Sequence, residues 1–157
     1  MDWCDAYAYC AGVGKRLCGK IGAGANGYDD FADASQSQWH NACVSGEVNQ
    51  THPYGNTYEE MYCNGLDYQE SEGTFTTRPV QSMAQCQSSV DGYEGVFDLS
   101  GNVWEWEDSC DGTGQTTNCR VRGGCFNNSV DYLGCRVANG HLRDSAVGSL
   151  GFRCCSR

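Results

Sequence analysis

Twelve cysteines run from one end of the chain to the other: Cys4, Cys10, Cys18, Cys43, Cys63, Cys86, Cys110, Cys119, Cys125, Cys135, Cys154 and Cys155. The number is even, no two of them form a Cys-x2-Cys pair, and only three histidines, His40, His52 and His141, accompany them. Zinc sites need closely paired ligands, so the pattern favours a disulfide framework formed in an oxidising, extracytoplasmic compartment. A framework of that density lets a chain fold with long loops and little regular structure. At 157 residues the length suits one domain, expected over 1–157.

Charge narrows the partners. Twenty acidic against ten basic side chains give a net charge of -10, which argues against nucleic acid or an anionic membrane surface and is compatible with calcium. No apolar run approaches the roughly 20 residues of a membrane span. The opening Met1-Asp2-Trp3-Cys4 has neither the basic start nor the apolar stretch of a signal peptide, so a targeting segment is expected to lie outside this chain.

Regular structure is legible mainly near the start. Trp3, Ala6, Tyr7, Cys10 and Ala11 recur at helical spacing, which predicts a helix over 2–13. The stretch SQSQWHNACVSG predicts a second helix over 35–46, with Ser35 or Ser37 as cap and Gly46 as stop. Between them, CGKIGAGANGYDDFAD lacks the GKS or GKT ending of a phosphate loop and reads as a surface loop. From Thr51 onward the pattern predicts short strands in long loops, with turns at Asn64-Gly65 and Asp111-Gly112 and apolar runs at 96–99, 103–106 and 120–126.

Four stretches then stand out in order: DWCDAYAYCAGVGKRL (2–17), YGNTY (54–58), GVFDLSGNVWEWE (95–107), and RGGCF with LGFRC (122–126 and 150–154). Together they resemble the sulfatase-modifying-factor family, whose founding member is the formylglycine-generating enzyme. The resemblance implies an α+β, C-type-lectin-like fold of the formylglycine-generating-enzyme type, disulfide-rich and low in regular secondary structure. Members of that family usually begin upstream with strands leading into the first helix, so this chain is expected to be a shortened member or the C-terminal portion of a longer one.

The resemblance also implies which chemistry to look for. The family's enzymes oxidise a substrate cysteine to formylglycine with molecular oxygen, using copper(I) on two cysteines in the pattern Arg-Gly-Gly-Ser-Tyr/Phe-x-Cys-x4-Cys. Copper(I) needs soft thiolates. Here the register after Arg122-Gly123-Gly124 puts Asn128 and Leu133 at the two positions, so copper is not expected. Cys125 and Cys135 are the nearby cysteines that an active oxidase with relocated thiols would have to use. The histidine triad of the related iron-dependent sulfoxide synthases has no counterpart among His40, His52 and His141.

Disulfides Cys10–Cys154 and Cys43–Cys135 are implied by the family pattern. Proximity in sequence suggests Cys110–Cys119 and Cys63–Cys86, which leaves Cys4, Cys18, Cys125 and Cys155 open. For the Ser-Gly-Asn-Val-Trp-Glu-Trp motif the resemblance implies calcium, held by Asn102, the Val103 carbonyl and Glu105, since calcium takes six to eight oxygen ligands. Read on its residues alone, the motif makes Asn102 a turn former and Glu105 a solvated carboxylate on a strand whose tryptophans face the core. A second calcium loop is implied at Asn64, Gly65, Glu72 and Thr74.

The segment 125–153 is rich in Asn, Ser, Asp, Tyr and Gly. In this family it crosses the exposed face, so Phe126, Asn127, Asn128, Asp131, Tyr132, Asn139, His141 and Arg143 are candidates for a surface that recognises a protein, peptide or glycan; alternatively they are loop formers. Arg122, Arg143 and Arg153 are candidates for structural pairing with Asp98, Asp108 or backbone carbonyls. The expected function is a catalytically inactive, calcium- and disulfide-stabilised binding or structural module. Its alternatives are the relocated-thiol oxidase and a retroelement-diversified display protein.

Overall fold

The structure, a computed structural model, describes residues 1–46 and 50–156. Helix α1 spans Trp3–Gly12 and opens on a reciprocal cap: the Asp2 carboxylate accepts from Asp5 N at 2.8 Å, and Asp5 returns the bond to Asp2 N at 3.4 Å. Its buried face is Trp3, Ala6 and Cys10, while Tyr7 and Tyr9 stay exposed.

Helix α2 is shorter than its sequence suggests, Gln38–Cys43, and Ser37 is its cap, accepting from His40 N at 3.0 Å. Ser35 instead donates to the Asp33 carboxylate at 2.6 Å, which fixes the turn before the helix.

A third helix, α3 (Leu66–Glu72), stands where only strands and turns were expected. Its cap position is Gly65, with no side-chain bond, and Leu66 N instead donates to the Asn128 carbonyl at 3.0 Å. The helix is held by such tertiary bonds rather than by an apolar stripe, so it left no periodic signal.

Four strands form the main sheet: β2 (Trp104–Cys110), β3 (Asn118–Arg122), β4 (Ala138–Leu142) and β5 (Leu150–Phe152), ordered β4-β3-β2-β5. A small ladder pairs β1 (Arg16–Leu17) with β6 (Cys154–Cys155). The apolar run at 96–99 is no strand, because Asp98 turns the chain at a φ of 62°. Trp104 and Trp106 join Trp3, Leu17, Val121 and Leu150 in one core, while Trp39, Val44 and Leu99 form a second around the Cys43–Cys135 bond.

Five disulfides staple these pieces: Cys10–Cys154, Cys18–Cys155, Cys43–Cys135, Cys63–Cys86 and Cys110–Cys119. Cys18–Cys155, the pair that the sequence left open, sits beside Cys10–Cys154 because the β1–β6 ladder brings Arg16 opposite Cys155 and Leu17 opposite Cys154. Cys4, exposed, and Cys125, buried, keep free thiols. No helix among the described residues is long and apolar enough to cross a membrane.

Candidate functional site

Three motif loops meet back to back. Gly101 N donates to Gly123 O at 2.7 Å, Phe126 N to Asn102 O at 3.0 Å, and Asn102 N to Asn64 O at 2.7 Å. Two glycines make the approach possible. A Cβ on Gly101 would strike the Asn64 carbonyl, and one on Gly123 would lie 3.0 Å from Leu99 O and 3.1 Å from the Trp39 ring. Both also have positive φ, 73° and 86°.

In the copper register the structure shows a cap and a core residue. Asn128 Oδ1 accepts from Cys125 N at 3.0 Å and lies 3.2 Å from the Cys125 thiol, and Leu133 is buried against Gly65 and Gly124. Cys135 is bonded to Cys43, so the expectation that Cys125 and Cys135 could act together as thiolates fails. Cys125 is itself 3 % exposed, and burial pushes its thiol upward against the hydrogen bonds from Asn127, Ser149 and Trp104. A buried thiol held in its protonated form is a poor nucleophile and a poor metal ligand.

Strand β2 carries two buried carboxylates on the face opposite its tryptophans. Glu105 is only 5 % exposed, which corrects the solvated reading: Arg153 pairs with it through two bonds of 2.5 Å, and Trp39 Nε1 donates to it at 2.7 Å. Glu107 pairs with Arg122 at 3.0 Å with both side chains fully buried. Arg122 and Arg153 therefore take Glu107 and Glu105 as acidic partners in place of Asp98 or Asp108, and both make the expected bonds to backbone carbonyls, Arg122 to Phe31 O, Cys135 O and Val137 O and Arg153 to Phe97 O. Arg143 lies 4.0 Å over the Trp3 ring and donates to Thr113 O at 3.1 Å.

The Asn102 side-chain oxygen is engaged within the protein. Its Oδ1 accepts from Asn64 Nδ2 at 3.0 Å and from Arg78 N at 2.8 Å, which uses both lone pairs. The acid that does join Glu105 is Asp98. Asp98, Val103, Glu105 and Arg153 line a cleft of ≈ 780 Å³ with Lys15, Phe97 and Phe152 on its walls. Burial, together with the negative charge of Glu105, pushes the Asp98 carboxyl upward, against a bond from Gln81 N. Gln81, Asp98 and Asn102 all border this cleft with φ of 65°, 62° and 65°, a concentration of strained backbone of the sort found at functional sites. An aspartate four residues ahead of Asn102 in a turn was the signal available in the sequence.

In the second loop the residues implied as ligands make contacts with other protein groups. Glu72 turns outward to Arg78 at 3.5 Å, and Thr74 Oγ1 donates to Gln69 at 3.2 Å. Asn64 binds the Gln69 amide, and Gly65 packs against Leu133. Gln69, a polar residue with nothing distinctive in its neighbourhood, went unrecognised in the sequence.

No cluster of three or more His, Cys, Asp or Glu side chains suited to a metal occurs among the described residues. His40 lies 2.9 Å from the Cys135 carbonyl, and burial pushes it down to about 4. His52 stacks on Tyr54 and is likewise lowered by burial.

The surface candidates split into two groups. Asn127, Asp131, Tyr132 and Asn139 are exposed. Phe126 packs on the tryptophan core, Asn128 caps Cys125, His141 meets Trp106 edge-on at 6.2 Å, and Arg143 covers Trp3.

A mixed α+β chain with little regular structure, five disulfides and its Arg-Gly-Gly and Ser-Gly-Asn turns bonded together is a domain of the formylglycine-generating-enzyme type. Three solved structures share that fold: Treponema denticola variable protein 1 (TM-score 0.62, 19% identity, covering 97% of this chain and 68% of that one), CarF (0.65, 18%, 98% and 65%) and PvdO from Pseudomonas aeruginosa (0.65, 18%, 97% and 58%). The sequence profile of the sulfatase-modifying factor enzyme 1-like domain matches residues 1–157, and the chain belongs to that family. Among its curated relatives it is 28% identical over 162 residues to the inactive C-alpha-formylglycine-generating enzyme 2 of Bos taurus, covering 99% of this chain and 48% of that protein. It is 26% identical over 179 residues to the formylglycine-generating enzyme of Mus musculus, covering 98% and 42%. The chain thus spans about half the length of the curated relatives it matches.

Proposed function

We propose that this chain is a catalytically inactive sulfatase-modifying-factor domain that works outside the cytoplasm as a binding or structural module. The observation that carries this reading is the copper register, where Asn128 serves as a backbone cap and Leu133 as core. With Cys135 in a disulfide, no second thiolate stands beside Cys125 to hold copper(I). A relative described as an inactive formylglycine-generating enzyme accords with it. The disulfides favour an oxidising compartment. A recognition face at Asn127, Asp131, Tyr132 and Asn139 would suit a protein, peptide or glycan.

The test is a Cys-x-Pro-x-Arg peptide incubated with the protein, copper(I) and oxygen. No aldehyde should form above the blank. Conversion that Cys125→Ser abolishes would overturn the reading.

One calcium ion is part of the proposal. The residues that would hold it are Asp98, Val103 through its carbonyl, and Glu105, which all line the cleft; Glu105 Oε1 accepts from Arg153 and keeps a free lone pair. Burial is the main cause of the upward push on Asp98, with the Arg153 charge acting against it, and a divalent cation beside Asp98 would favour its ionised form further. At a hundredfold excess over Kd, calcium should raise Tm by about 5 °C or more, and Asp98→Asn should abolish the effect. The sign with pH follows. Because the folded-state pKa of Asp98 is raised, protons compete for the site, and the calcium effect should shrink as pH falls through that raised value. A calcium effect that persists unchanged in Asp98→Asn would move the ion elsewhere.

A further inference from the structure

The loop that follows α3 is built around one buried carboxamide. Gln69 has no solvent exposure, and all four of its hydrogen-bonding valences are used. Its Nε2 donates to Asn64 Oδ1 and to Thr76 O at 3.0 Å, and its Oε1 accepts from Thr76 N at 2.9 Å and Thr74 Oγ1 at 3.2 Å. Asn64, 2 % exposed, passes the chain onward, its Nδ2 donating to Thr76 O at 3.2 Å and Asn102 Oδ1 at 3.0 Å. Asn102 closes it with one bond from Arg78 N and another to Arg78 O. Three carboxamides thereby join α3, the 74–78 stretch and the Ser-Gly-Asn turn.

We propose that the Gln69 amide stands in this loop where the resemblance implies a calcium ion, so that the loop is a metal-free staple. A cation there would be held by oxygens converging on it. Asn64 Oδ1 and Thr76 O do converge, but on the two N–H donors of Gln69, whose δ+ hydrogens occupy the position a cation would need. The remaining implied ligands have other partners, Glu72 on Arg78 and Thr74 on Gln69 itself. Because a neutral amide is part of the chain, the staple does not depend on the calcium concentration around the protein. Its hydrogen bonds lie in a buried site where each unmade bond is costly, which is why all are made.

Calcium stoichiometry by equilibrium dialysis on the full chain, read beside the melting temperature in calcium and in chelator, tests this. Asp98→Asn protein, with Gln69 intact, should bind no calcium. Gln69→Glu in that background exchanges the two N–H donors of Nε2 for one carboxylate oxygen beside Asn64 Oδ1 and Thr76 O. It should gain one calcium per chain, with Tm about 5 °C or more higher in calcium than in chelator. Gln69→Ala should lower Tm by about 6–10 °C equally in both media, as several buried polar groups lose their partner. A calcium ion that Asp98→Asn retains and Asn64→Ala removes overturns the proposal, and so does an unchanged Tm in Gln69→Ala. If the unmodified chain binds no calcium at all, the ion is removed from the Asp98 cleft while the metal-free loop is supported, so the two readings fail separately.

Discussion

Removing the Cys10–Cys154 and Cys18–Cys155 disulfides one after the other should cost unequal amounts, the second removal about one and a half times the first. Each bond spans most of the chain, with sequence separations of 144 and 137. With Cys43–Cys135 in place, the loop that either bond closes by itself runs through that disulfide and has roughly 45–55 residues, worth about 4 kcal/mol in the chain-entropy account. The two bonds are redundant, however. While Cys18–Cys155 persists it already holds the ends together, and Cys10–Cys154 then closes only the short loop between Cys10 and Cys18, worth about 2–3 kcal/mol. Urea denaturation of Cys10→Ala/Cys154→Ala should show that smaller loss, and the fourfold alanine variant should lose about 6–7 kcal/mol, enough to threaten folding altogether. Equal, additive losses would mean that local packing around Cys154 and Cys155, rather than the unfolded chain, sets the effect.

This pairing also marks where the sequence stops being informative. The framework as such was readable, because twelve cysteines without metal spacing have few alternatives, and the first helix was readable from its apolar spacing. The partner of Cys18 was not. It depends on a two-residue ladder, β1 with β6, that no periodicity announces. Likewise α3 rests on the Asn128 carbonyl and the Gln69 network, contacts made by residues far away in the chain. Family resemblance identified the turns that build the site, yet the chemistry of each differs from its pattern at single side chains: Asn128 and Leu133 in the copper register, Gln69 in the second loop, Asp98 beside Glu105. Such changes are visible as letters and acquire meaning only from what they touch.

The alternation Trp104-Glu105-Trp106-Glu107 shows the same limit most plainly. Period two correctly sets tryptophans and carboxylates on opposite faces of β2, but polarity suggested that the second face meets water. Both carboxylates are buried instead, because Arg122 at the end of β3 and Arg153 just after β5 reach in from the two strands that flank β2 to neutralise them.

Arg122→Met should therefore be severely destabilising, by about 3–5 kcal/mol, through the charge it strands rather than the contacts it deletes. In the native fold Arg122 donates to Glu107, to Phe31 O at 2.7 Å, to Cys135 O at 2.8 Å and to Val137 O at 3.1 Å, and its guanidinium lies 4.5 Å over Trp39. Methionine keeps most of the stem's volume, so packing alone predicts a modest loss. What remains is a fully buried Glu107 carboxylate whose donors among the described residues are Ser37 Oγ at 2.6 Å and Asn26 Nδ2 at 3.3 Å. Adding Glu107→Gln removes that orphaned charge and retains an oxygen for Ser37, so the double variant should be more stable than Arg122→Met alone by at least about 1 kcal/mol in urea denaturation. The three carbonyls left without Arg122 keep recovery incomplete. A double variant no more stable than the single one would show that these carbonyls and the Trp39 contact, not the ion pair, make Arg122 indispensable to the turn that positions Cys125.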